Sequence, residues 1–199
     1  FDEFHLYTLG NPVTLRDKET KQVEFVRASG VKAERVYVFD GLYQGGGVGK
    51  VQVYREFKNA EANKLGLALP KGKVRFYSQD ADRQLEFVGE NQIDHTPKNE
   101  TIRVLVGNSF DLVGERRLVS QTENNSEHVA TQTIEVKVRN RKKEPAEIRV
   151  VEHANRGGNW TLTAQSQPHE KKDATTFEFR APLQPDEEKI VTYTIRYTW

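Results

Sequence analysis

The sequence contains no cysteine. Disulfides, thiolate nucleophiles and cysteine-ligated zinc or iron–sulfur centres are therefore excluded. Methionine is absent too, which removes an oxidation-sensitive side chain and suits exposure outside the cell. A chain that opens at Phe1 without any methionine reads as a mature or excised segment of something longer, its signal peptide already gone. No apolar run approaches the roughly 20 residues of a transmembrane helix. Neither sign of charge dominates: Lys and Arg total 30 against 29 Asp and Glu, a formal net charge of +1. That balance argues against nucleic acid as a partner, which calls for a surplus of positive charge. The 199 residues suffice for one large domain or two small ones, with a core that needs no covalent staples.

The composition that is present favours strands. Val (21) and Thr (15) both outnumber Leu (13), and such residues fit a pleated, half-buried surface. Apolar and polar residues alternate through Ile134, Val136 and Val138, and through Val191, Tyr193, Ile195, Tyr197 and Trp199. Val51, Val53 and Phe57 share one face of a further stretch, with Arg55 interrupting the row. Period-two alternation means one buried and one wetted face, the antiparallel pattern. Helical signal is confined to residues 56–65, bounded by Gly66 and Pro70, where one short helix or a long loop is expected. The expected fold is all-β, built of antiparallel β-sandwiches.

Two halves are expected. Residues 1–110 form an N-terminal sandwich-like half. Residues 111–199 form a C-terminal half with the length and strand density of an immunoglobulin-like sandwich, without its cysteine pair. Residues 111–140 read as a long central hairpin whose polar tip, around Asn124 and Asn125, supplies the positive-φ positions of a tight turn. Trp160 is a core candidate, and Leu183 to Pro185 marks the turn before the closing strand.

The chemical motifs mostly fail. Residues 45–50 are glycine-rich and end in Lys50, but Val51 stands where a phosphate loop requires Ser or Thr, and a strand pattern follows; a hairpin turn is the better account. Asp80 and Asp82 lack the later Gly and Glu of a calcium loop. None of the five histidines is spaced three or four residues from another, so local zinc ligation has no support. Asp94 and His95 are the one alternative site, as an acid–base pair or ligands, against the plainer role of capping a turn with Thr96. Ser109 lacks the second glycine of a nucleophile elbow. The basic run 139–143 suits a solvated turn or contact with phosphate or an acidic polysaccharide, and Tyr37, Tyr43, Tyr54 and Tyr77 are candidates for stacking on sugar rings. No catalytic residue, metal or cofactor is expected.

Certain motifs resemble one family. They are His5-Leu-Tyr-Thr-Leu9, Pro12-Val-Thr-Leu15, Leu69-Pro-Lys-Gly72, Val74-Arg-Phe-Tyr77, Leu85-Glu-Phe-Val-Gly-Glu90, Ile93-Asp-His-Thr-Pro97 and Gly107-Asn-Ser-Phe-Asp-Leu-Val113, and the likeness runs on to Val191-Thr-Tyr193. They are similar to a bacterial domain of unknown function that forms the C-terminal part of mucoidy-inhibitor-A-like proteins. The resemblance implies a β-rich, envelope-associated or secreted protein and carries no catalytic residues. Two readings follow. One is a non-enzymatic extracellular, periplasmic or envelope domain that self-assembles or meets other envelope proteins through strand edges, with Phe1, Phe4, Leu6, Tyr7 and Leu9 as the interacting segment. The other is a carbohydrate-binding or enzyme-accessory domain.

Overall fold

A computed structural model describes residues 6–43, 46–80 and 82–199. The chain is 58% strand and 2% helix, so the all-β expectation holds. It divides into two compact units, one of Phe1–Glu34 with Glu56–Val104 and one of Arg35–Arg55 with Leu105–Trp199. The sequence boundary at 110/111 falls inside a single strand, and residues 35–55 group with the C-terminal half rather than the N-terminal one.

The larger unit holds most of a nine-stranded sheet. In chain order its strands are β1 (Glu34–Phe39), β2 (Gly47–Lys58), β5 (Thr101–Asn124), β6 (Val129–Asn140), β7 (Ala146–His153), β8 (Asn159–Gln165), β9 (His169–Lys171), β10 (Thr176–Leu183) and β11 (Glu188–Thr198). Their spatial order is β8-β11-β6-β5-β2-β1-β7-β10-β9, and β2 and β5 run on into the smaller unit. The sheet folds over on itself. Phe177 and Phe179 of β10 meet Tyr193 of β11, six places away in that order, at ring-centroid distances of 5.3 and 5.5 Å. Residues 166–168 join the two end strands, β8 and β9. The interior is a sandwich core of Phe39, Val51, Leu112, Ile134, Ile148, Tyr193 and their neighbours, and Trp160 packs against its edge.

The sheet is mixed, which corrects the expectation of antiparallel pairing throughout. β1 runs parallel to β7, with Tyr37 opposite Ile148 and Phe39 opposite Val150. Val36 to Phe39 are all buried. A strand covered on both faces shows a continuous apolar run in place of alternation.

The central hairpin is present and longer than expected. β5 starts at Thr101 and pairs with β6 out to Asn124 opposite Val129. At its tip Asn124 acts through its side chain, whose Oδ1 accepts from Ser126 N and Oγ, while the positive φ falls on His128. The glycine-rich residues 46 and 47 have positive φ and lead directly into β2, so a strand follows them and no helix.

The smaller unit contains the antiparallel ribbon β3 (Gly72–Gln79) and β4 (Leu85–Ile93) and a single 3₁₀ turn at Glu61–Asn63. Its core is Phe57, Leu69, Ile102 and Val104, with Phe25, Phe76 and Ile93 packed on it. Asn59, fully buried, ties the surrounding loops together. Its amide donates to Leu67 O and Pro97 O, and its Oδ1 accepts from Gly66 N.

Candidate functional site

The sequence-predicted interaction segment is described from Leu6 onward; Phe1 and Phe4 lie outside the described residues. Leu6, Tyr7 and Leu9 belong to no strand. Leu6 is 95% exposed, whereas Tyr7 turns inward against Phe25, with ring centroids 5.8 Å apart. Tyr7 also brings the two sequence-predicted sites together. Its hydroxyl lies 3.1 Å from His95 Nδ1 and its ring stacks on the imidazole at 5.9 Å. The same nitrogen faces Lys71 N at 3.3 Å. Asp94 Oδ1 accepts from His95 N, and Thr96 Oγ1 donates to Asp94 O, so these residues do shape a turn. Both Asp94 and His95 are exposed.

The β3–β4 ribbon presents two unlike faces. Phe76 and Ile93 pack against the small core. On the other face Lys73 and Arg75 both bind Glu90, at 2.7 and 2.8 Å, and hold its carboxyl below the usual range. Beyond this row Tyr77 sits opposite Phe87, ring centroids 5.7 Å apart, next to Leu85. A register shift between Phe76 and Tyr77 reverses the parity of β4. Gly89 therefore pairs with inward Phe76, while Phe87 pairs with outward Tyr77. Of the four tyrosines marked for sugar stacking, Tyr77 and Tyr43 are exposed, Tyr37 is buried and Tyr54 is half-buried.

Within the larger unit, the parallel β1/β7 pair gathers polar groups at its C-terminal end. Glu152, fully buried, accepts from Arg116 Nε at 3.0 and 3.1 Å and from the Tyr193 hydroxyl at 2.5 Å. Burial pushes the Glu152 carboxyl and the Tyr193 hydroxyl up, against the opposing pull of the Arg116 charge. The next residue, His153, lies 2.8 Å from Asp40 Oδ2 through Nε2 and 3.4 Å from Thr176 Oγ1 through Nδ1. Asp40 Oδ1 accepts from Tyr43 N, and the exposed Tyr43 ring covers His153 at 4.5 Å. Chemically this is a buried ion pair beside a carboxylate–imidazole–hydroxyl chain. No sequence signal marked it, because its members are scattered over 153 positions of chain between Asp40 and Tyr193 and meet only through strand pairing.

The basic run 139–143 disperses. Arg139 pairs with Glu115, Arg141 with Glu188 and Lys142 with Glu144, around a fully buried Asn140 that clamps Glu144 O and Gln184 O. An open groove of about 500 Å³ crosses β10 near Glu178, Arg180 and His169. Glu178 is 2% exposed there, and its Oε1 faces Arg180 Nε at 3.6 Å and Arg149 Nε at 3.9 Å without a hydrogen bond. Among the described residues, no group of three or more His, Asp and Glu side chains is arranged to hold a metal ion. No described helix is long and apolar enough to cross a membrane. Compared with protein-family models, with curated proteins and with solved structures, the chain matches none.

Proposed function

We propose that the chain is a non-enzymatic structural or interaction domain acting in the cell envelope or outside the cell, and that it engages partners through the β3–β4 ribbon. The observation that carries this reading is the ribbon's outer face. Tyr77, Leu85 and Phe87 stand together 54%, 69% and 57% exposed, on a strand pair with no third strand among the described residues. Clustered exposed apolar side chains mark contact surfaces, and an unpaired strand edge accepts a further strand. The lack of cysteine and methionine supports placement outside the cytoplasm. The motifs resembling the C-terminal domain of mucoidy-inhibitor-A-like proteins support it as well, and membership of that family is part of the proposal.

Self-assembly is the form of this reading to test first. Light scattering across a concentration series is expected to show association of the parent chain that weakens at least tenfold in Phe87→Ser. A parent chain that stays monomeric throughout sinks self-assembly. A second reading, sugar binding, is favoured by the exposed Tyr77 ring beside the polar Lys73–Glu90–Arg75 row. Retention of a soluble glycan by the monomeric chain, lost in Tyr77→Ser, selects it over protein docking.

A further inference from the structure

Arg55 interrupts the apolar row of β2 formed by Val51, Val53 and Phe57. It is half-buried, and among the described residues its side chain makes no hydrogen bond or ion pair. On the neighbouring strand β1, Arg35 Nη1 donates to the Tyr37 hydroxyl at 3.4 Å. Lys142, from the turn between β6 and β7, donates to the same hydroxyl at 2.7 Å and lies 5.1 Å over the ring. Among the described residues, one carboxylate serves this group. Glu144 pairs with Lys142, stands 3.6 Å from Arg35 and is itself largely exposed. Burial first, and then the charge of Arg35, hold the Arg55 guanidinium below its ordinary value.

Three cations and one carboxylate leave a local surplus of two positive charges. A half-buried guanidinium beside a like charge is costly unless an anion completes it. Two guanidinium groups offer the forked donors that match phosphate, sulfate or carboxylate oxygens. Tyr37 accepts from both Arg35 and Lys142, which leaves its own O–H free to donate to an incoming anion. We propose that Arg35 and Lys142, which share the Tyr37 hydroxyl, and Arg55 of the neighbouring strand β2 form a binding site for an oxyanion, with Arg55 the cation for which the described residues supply no carboxylate. The site unites β1, β2 and the β6–β7 turn, and it is independent of the β3–β4 face.

Isothermal titration of the full chain at low ionic strength tests this, using sodium phosphate, sodium sulfate and an oligogalacturonate, with sodium chloride at matched ionic strength as control. Saturable binding beyond chloride is expected, weakened about tenfold or more in Arg55→Gln and in Arg35→Gln. Arg117→Gln, which removes the same charge from an exposed pair with Glu135, is expected to bind as the parent does. Binding of phosphate or sulfate identifies a small oxyanion as the ligand, and binding of the oligogalacturonate alone identifies an acidic glycan. No saturable binding beyond chloride overturns the proposal. So does unchanged affinity in either variant with native circular dichroism. Arg35, whose side chain is 47% exposed, decides the matter if Arg55→Gln does not fold.

Discussion

Arg116→Met tests the buried ion pair of the larger unit. The substitution keeps the aliphatic stem that lines Gly41 and deletes the charge. Glu152, fully buried, is left with the Tyr193 hydroxyl as its remaining donor. Breaking one side of a buried pair costs about 3–5 kcal/mol, because the other charge stays desolvated. For a chain of this size each kcal/mol moves the thermal midpoint by about 2–4 °C, so a drop of roughly 6–20 °C is expected near neutral pH. The loss must depend on pH in a defined direction. Burial raises the folded-state pKa of Glu152, and the Arg116 charge pulls it back. A carboxyl raised on folding contributes stability that is full below its unfolded value, near 4.5, and declines as pH rises through the folded one. Without Arg116 the folded value climbs further, and the decline extends to higher pH. The variant's deficit relative to the parent is therefore smallest near pH 4.5 and largest at neutral and mildly alkaline pH. Adding Glu152→Gln should restore stability to within about 1–2 kcal/mol, since replacing both partners of a buried pair is close to neutral. Urea unfolding at several pH values, read by fluorescence, measures all three chains. A deficit under about 1 kcal/mol, or one equal at pH 5 and pH 8, refutes the reasoning.

Gly114→Ala would place a methyl group 2.2 Å from Phe39 Cδ2 in the core and is expected to cost about 1–3 kcal/mol in urea unfolding; an unchanged midpoint contradicts the close packing. Asn140→Ala removes the amide that donates to Glu144 O and Gln184 O at 2.9 and 3.0 Å and the carbonyl that accepts from Lys142 N. The orphaned buried groups should cost about 1–3 kcal/mol, and a loss within error in thermal unfolding argues that the loop repacks. The Asp173 carboxyl is held below its ordinary 3.8 by the backbone N–H of Thr175 and by Thr176. Whatever stability it adds is present above that value and lost as pH falls through the depressed one; an NMR titration that places it at or above 3.8 would show the turn to be open.

The strands were legible wherever one face is wet. The alternations at 134–138 and 191–199 are β6 and β11, paired with Val191 opposite Val136 and Tyr193 opposite Ile134. Turn chemistry was legible at 46–47 and at the hairpin tip, although His128 takes the positive φ there and Asn124 works through its side chain. β1 escaped because Val36, Tyr37, Val38 and Phe39 do not alternate. Its parallel pairing with β7 was out of reach, since a partner 111 residues on leaves no local trace. The outward placement of Phe87 depends on a register shift that periodicity alone does not locate.

Composition and local pattern thus determined the class: all-β, free of thiol chemistry, nearly charge-balanced and strand-rich. They also marked Arg55 as a cation in an apolar row. Tertiary structure alone decided which distant residues meet. It sealed Glu152 with Arg116 and Tyr193, set His95 against Tyr7, and brought Arg35 and Lys142 to one hydroxyl. The physical reason is that strand propensity and alternation are properties of neighbours in sequence. A buried charge or a cation cluster, by contrast, is created by sheet order and register, which are set by burial summed over the whole core.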